Sequence, residues 1–332
     1  MSTVAIRRHR LLTMLSWVMV LGCLACSSPS ETVTSSTGTI PEQPAPSAQV
    51  LLLTQPFAYD NTRKDSVAGA YAAQASLEVP ADLAPQNKWV MFEGPVLEND
   101  LVAYRFYLDR RHRYDIYGKR VADLVMDTVS WDYHDVMDWG SDILKVGNSL
   151  GAGTPALHRD GKLYHLGEAD AMRVEVGTDE RGCAKVETVF TSLHLDGDKV
   201  HYVSETLTLC PGSQDLRVQL RASDGGLPRG FGFCAGIVNH QTDARILNSR
   251  DQTALYTWGD QSFHGDKLGM ALVSSRVDRV STSSDSLNHL LLFEPGDHEV
   301  SYTMLSGWEL GVEPFATEAE FQKLVRQKLG LQ

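Results

Sequence analysis

AKVETVFTSLHLDGDKVHYVSETLTL, residues 184–209, decides the fold. Two runs rich in Val, Thr, Leu and Tyr, Ala184–Leu195 and Lys199–Leu209, flank Asp196-Gly197. Apolar and polar residues alternate along them, the period of a strand with one buried face. Asp-Gly tolerates the positive φ that a tight hairpin needs. The stretch therefore reads as a long antiparallel hairpin.

Working outward, runs of the same kind recur at Met172–Val176, Asp215–Ala222, Gly269–Ser274, His289–Phe293 and His298–Leu305, and Asp160-Gly161 marks a second tight turn. Neither an alternating βα pattern nor an internal repeat is present. One helix is legible, at the C-terminus. Thr317 and Glu320 form a capping box, and Phe321, Leu324, Val325 and Leu329 share a helical face. The expected fold class is mainly β: a large antiparallel β-sandwich with a C-terminal helix packed on the sheet edge.

The folded domain is expected over residues 50–332, as a single β-sandwich. Residues 1–26 read as an export signal. Arg7, Arg8 and Arg10 precede a short apolar run, Leu11 to Leu21, that is too short to span a bilayer. Val20-Leu21-Gly22-Cys23 resembles a lipobox, and Leu24-Ala25-Cys26 is a competing frame with a serine tail. Lipidation at Cys26 or Cys23 would hold the mature chain at a membrane by acyl chains, on the periplasmic or outer-membrane face. Residues 27–49 are rich in Ser, Thr, Pro and Glu and read as a disordered tether.

Removal of residues 1–26 leaves 27 basic against 42 acidic residues, a net charge of −15. Nucleic acid is excluded as a partner on that balance. Three cysteines remain, Cys183, Cys210 and Cys234. At most one internal disulfide can form, with Cys183–Cys210 and Cys210–Cys234 both open. The simplest reading is three buried thiols without a chemical role.

Chemistry-bearing residues concentrate between Glu98 and Gly153. Along Asn99–Asp109, Val102, Tyr104, Phe106 and Leu108 fall on one strand face, and Asn99, Arg105, Tyr107 and Asp109 on the other. Arg105, Arg110, Arg111, Arg113, Lys119 and Arg120 stand against only Asp109 and Asp115, a local reversal of sign in an acidic chain. Arginine binds carboxylate in a bidentate way, so this run suggests an anion site. Trp131, Tyr133, His134, Asp138, Trp139 and Asp142 follow. His and Tyr are common proton carriers, and Trp can stack on a pyranose face. His134 and Asp138 lack a third ligand at a telling spacing, so no metal is expected, and no cofactor motif is present. Gly147-Asn148-Ser149-Leu150-Gly151 matches G-x-S-x-G literally, but Gly153, Thr154 and Pro155 interrupt the helix that a nucleophile elbow requires. His240, His264, Trp258 and Trp308 are weaker candidates.

At ENDLVAYRFY, YDIYGKR, YHDVMDWGSDILKVGNSLGAG and GWELGVEPFATEAEFQKLV, the chain resembles the bacterial domain-of-unknown-function family 4861. The resemblance covers about Val50 to Leu331. It implies an exported protein linked to polysaccharide-utilisation gene clusters, and a supersandwich like that of the aldose mutarotases.

Three functions are then in view. The first is lyase-type β-elimination on an anionic, uronate-containing oligosaccharide. There Asn99, Arg105 and Lys119 would neutralise the carboxylate, Asp138 and Trp139 would hold sugar, and Tyr133, His134 and Tyr107 would move protons. The second is a mutarotase- or epimerase-like proton shuttle between His and a carboxylate. The third is non-catalytic glycan binding.

Overall fold

In the computed structural model, residues 47–63, 71–223 and 225–331 are described. The export signal, Cys23, Cys26 and the tether as far as residue 46 lie outside them. All described residues fall in one compact unit. Among the described residues the first strand is Ala48–Leu51, which starts two residues inside the stretch expected to be tether. Its backbone pairs with Val96–Asn99, which supplies the hydrogen bonds that composition does not reveal.

The fold is mainly β, an antiparallel sandwich closed by a C-terminal helix. One layer is a nine-stranded sheet in the order Arg245–Asn248, Thr253–Asp260, Lys267–Ser274, Glu299–Trp308, Asp215–Ala222, Asp198–Leu209, Ala184–Leu195, Ala171–Thr178 and Ser76–Val79. Two five-stranded sheets face it. One runs Ala48–Leu51, Val96–Asn99, Val102–Phe106, Tyr114–Lys119, Gly140–Asp142. The other runs Lys162–His165, Ala152–Arg159, Gly232–Val238, Asn288–Phe293, Val280–Ser284.

The hairpin forms as its sequence dictates, with Leu195 opposite Asp198 across Asp196-Gly197. Val186, Phe190, Val203 and Leu207 point from it into the main core. There they meet Tyr104, Phe106 and Tyr114 from one facing sheet and Leu157, Phe233 and Leu291 from the other. The open end of the hairpin is stapled by a disulfide between Cys183 and Cys210, beside the paired residues Ala184 and Leu209. Two of the three cysteines are thus not thiols. Spacing alone could not choose the pair; the register does, by setting the two side by side. Cys234 keeps a free, fully buried thiol, and that burial pushes its pKa up to about 12.

The helix Glu318–Lys328 begins at the expected capping box. Glu320 N donates to Thr317 Oγ1 at 3.3 Å, and Thr317 N donates to Glu320 Oε2 at 2.9 Å. It packs on the outer face of the nine-stranded sheet rather than on its edge. The reason is a landing strip of small residues: a Cβ on Gly269 would stand 2.5 Å from the Phe321 ring, so only glycine lets that ring lie flat on the sheet. Thr317→Ala removes the cap and is expected to cost about 1 kcal/mol in urea unfolding. An unchanged midpoint would show that packing alone sets the helix start.

Candidate functional site

Strand register builds the site. Arg105 lies opposite Asp115, and Tyr117 opposite Asp142, so period two projects all four from one face of the five-stranded sheet. That face is neither a polar groove nor solvated. A second, smaller core covers it, with Phe92, Met126 and Tyr133 inside and Trp131 and Trp139 partly buried at its rim.

Beneath this cover Arg105 is 2% exposed. Its Nη2 contacts the Asp115 carboxylate, lies 2.9 Å from Asp142 Oδ2 and donates to Tyr107 Oη at 2.8 Å. Tyr107 Oη in turn donates to Asp115 Oδ2 at 2.7 Å. The guanidinium carbon sits 4.7, 5.3 and 4.9 Å from the ring centres of Tyr107, Tyr117 and Tyr133. Glu93 stands nearby, 3.9 Å from Nη1. Both Phe92 and Glu93 hold left-handed backbone, with φ of 61° and 64°. Such conformations cost roughly 1–3 kcal/mol each. Here they aim the Glu93 carboxylate at Arg105 and Arg111.

Two carboxylates share one guanidinium, and the proton balance reflects it. Burial, and then the neighbouring Asp142 charge, push the Asp115 carboxyl up to about 6. A carboxyl whose folded pKa lies above its ordinary value stabilises the fold most when protonated. Its contribution is full below about 3.8 and is lost as pH rises through about 6. Urea midpoints of wild type are therefore expected to fall from pH 4 to pH 7 more steeply than those of Asp115→Asn. Parallel slopes would refute the assignment.

Asp142, itself buried, also contacts a side chain at the surface. His134 Nδ1 lies 3.2 Å from its Oδ2, and the imidazole is 55% exposed. The carboxylate oxygen accepts, so Nδ1 is the nitrogen that donates to it and Nε2 is left as the basic one. The hydrogen bond to Asp142 raises the His134 pKa above the ordinary imidazole value. Beside it the exposed Phe263 ring lies 6.0 Å away, and His264 packs edge-on to that ring at 5.2 Å. His264 Nε2 is 2.8 Å from Ser141 Oγ, and Phe263 N donates to Ile143 O, so this loop is pinned to the strand carrying Asp142. The arrangement is two imidazoles around one exposed phenyl ring, with a buried carboxylate behind one of them. Among the described residues, no cluster of three or more His, Cys, Asp or Glu is placed to hold a metal ion.

The sequence pattern of the family described as "Domain of unknown function (DUF4861)" matches residues 16–329. The chain belongs to this family. No curated protein matches it. Among solved structures it is similar to one named "putative aldose 1-epimerase" from Klebsiella pneumoniae subsp. pneumoniae. That likeness is 10% identical, has a TM-score of 0.38 and covers 85% of this chain and 95% of the other. At that score it carries no argument about the site.

In this DUF4861 chain, several expected site residues prove to be internal. Arg105 is not free for a substrate carboxylate, because internal carboxylates take its charge. Lys119 projects from the same face but forms a separate cluster: its Nζ is 2.7 Å from Glu98 Oε1 and it donates to Asn99 O. Asn99 Nδ2 donates to Cys210 O and Ser213 O, both at 2.7 Å, and its Oδ1 accepts from Leu101 N and Val102 N. It is a loop-to-loop brace. Tyr107 and Tyr133 are buried and stay protonated, the latter with burial pushing it up to about 12. Trp139 packs edge-on to Tyr117 instead of presenting a platform. Asp138 is solvent-exposed and takes no part in the Arg105 ion pairs.

Arg111 is likewise taken up inside the fold, by Asp109 and Glu93, and Arg113 donates to Arg111 O and lies 3.1 Å from His165 Nδ1. Ser149 is buried in a tight loop, donating to Val146 O at 2.6 Å, and a strand rather than a helix follows it. His240 bonds Lys145 O, Trp258 stacks on Phe321, and Trp308 is core. His134 is the expected residue that stands at the surface with a carboxylate behind it. Asp142, Asp115 and Phe263 carry no role in the sequence reading.

Proposed function

We propose that this chain is an exported, membrane-anchored sugar enzyme whose His134–Asp142 pair moves a proton at the anomeric end of an aldose. The observation that carries this reading is the 3.2 Å contact between His134 Nδ1 and Asp142 Oδ2 at an exposed imidazole. His134 Nε2 takes the proton from the O1 hydroxyl, C1 becomes a carbonyl as the C1–O5 bond breaks, and the His264 imidazole passes a proton to O5. Rotation about C1–C2 and the reverse steps return the other anomer and return each proton to its donor. The Phe263 ring offers an apolar surface to the CH face of the sugar. β-Elimination on a uronate is the weaker reading, because Arg105, Lys119 and Asn99, the groups that would neutralise the carboxylate, are all engaged inside the fold.

Export is supported by the layout of residues 1–26, and the disulfide suits an oxidising compartment. Acylation at Cys26 or Cys23 would supply the anchor. The test is exchange between α and β anomers of galactose and of galacturonate, followed by NMR, with ultraviolet absorbance read in parallel on oligogalacturonate. Accelerated exchange without an absorbing product is expected. An absorbing, unsaturated product would replace this reading with elimination.

A further inference from the structure

The outer face of the nine-stranded sheet holds a groove of about 420 Å³, beside the last turn of the C-terminal helix. Its floor follows from period two. Thr208, Arg217 and Thr303 are direct partners across three neighbouring strands, and Gln219 and Ser301 pair in the next outward row. Hydroxyl and amide groups thus surround one exposed guanidinium. Arg181, near the disulfide, and Lys328, at the end of the helix, also line the groove. Each of these two is held by an acid, Arg181 by Asp179 at 2.7 Å and Lys328 by Asp215. No carboxylate among the described residues pairs with Arg217. This is a cationic spot on a chain whose mature charge is −15.

We infer that this groove binds an anionic oligosaccharide, with Arg217 taking the carboxylate or sulfate and the flanking Thr, Gln and Ser side chains taking sugar hydroxyls. A guanidinium matches either anion in a bidentate way. Its volume lies in the range of small-ligand sites. The groove opens on the sheet face turned away from the core, whereas His134 stands on the cover of the facing five-stranded sheet. The two sites are separate, and this one does not depend on the proton chemistry proposed for His134. A glycan held here would keep the protein on an acidic polysaccharide while the other site works on free ends.

Titration calorimetry with tetragalacturonate, a sulfated carrageenan tetrasaccharide and neutral cellotetraose tests it on wild type, Arg217→Ala, Arg217→Lys and His134→Ala. Expected is binding of at least one anionic probe, weakened ten-fold or more by Arg217→Ala, partly kept by Arg217→Lys and unchanged by His134→Ala. The preferred probe distinguishes carboxylate from sulfate. Arg217 is exposed on the strand, so the variants should fold, and a matching melting temperature checks this. No anionic binding to wild type, equal affinity in Arg217→Ala, or loss in His134→Ala would each overturn the proposal.

Discussion

Replacing Arg105 with alanine is expected to remove about 3–5 kcal/mol of stability, the cost of breaking a buried ion pair from one side. The variant leaves Asp115, Asp142 and Glu93 gathered under an aromatic cover without their common counter-charge. Asp115 can relieve part of the strain by taking up a proton, since its carboxyl is already raised. The loss should therefore be smaller at pH 4 than at pH 8. Arg105→Lys keeps a charge but not the fork that meets Asp115, Asp142 and Tyr107 together, so it should fall between wild type and alanine. Urea unfolding at both pH values reads this directly. A loss under about 1 kcal/mol would mean that the cluster is wetter and looser than its burial implies.

The second large effect concerns activity. His134→Gln is expected to lower anomer exchange by roughly 10²–10⁴-fold, the usual worth of a positioned acid or base. Its imidazole is half exposed, so stability should hardly change. Asp142→Asn gives the sharper test, because it alters the base without removing it. In wild type the rate should rise with pH as His134 loses its proton, at a pKa lifted by the Asp142 hydrogen bond. In Asp142→Asn that lift disappears and the rising limb moves to lower pH. A limb that stays in place would separate Asp142 from the chemistry and leave it as a partner of Arg105 alone. Wild-type rates in His134→Gln would remove the proposed function.

How much of this could be read beforehand varies with the range of the interaction. Period two and the Asp-Gly turn are local properties, and the strands, the hairpin and the helix cap were legible from them. Within Asn99–Asp109 the two-faced alternation is realised only over the strand Val102–Phe106, because Asn99 closes the preceding strand and Tyr107 to Asp109 lie beyond the end of this one. What it cannot report is the cover on the polar face, since Phe92, Met126 and Tyr133 come from segments on either side of the strand in sequence. The cation count between Arg105 and Arg120 failed for a related reason. It tallies charges near in sequence, whereas Glu93, Glu98 and Asp142 arrive through strand pairing and loop return. The landing strip at Gly269 shows the same limit, because a glycine in a strand looks like a weakness until the ring that needs the space is known. His134 was legible by type and Phe263 was not, as their contact spans 129 residues.

Cys234 turns the interior of the second five-stranded sheet into its own reporter. The thiol sits on a central strand with no exposed surface and a pKa far above neutrality, so alkylating reagents reach it only when that sheet comes apart. Mass-tagging kinetics on the unmodified chain would then measure how often the sandwich opens, without a probe having to be engineered into it.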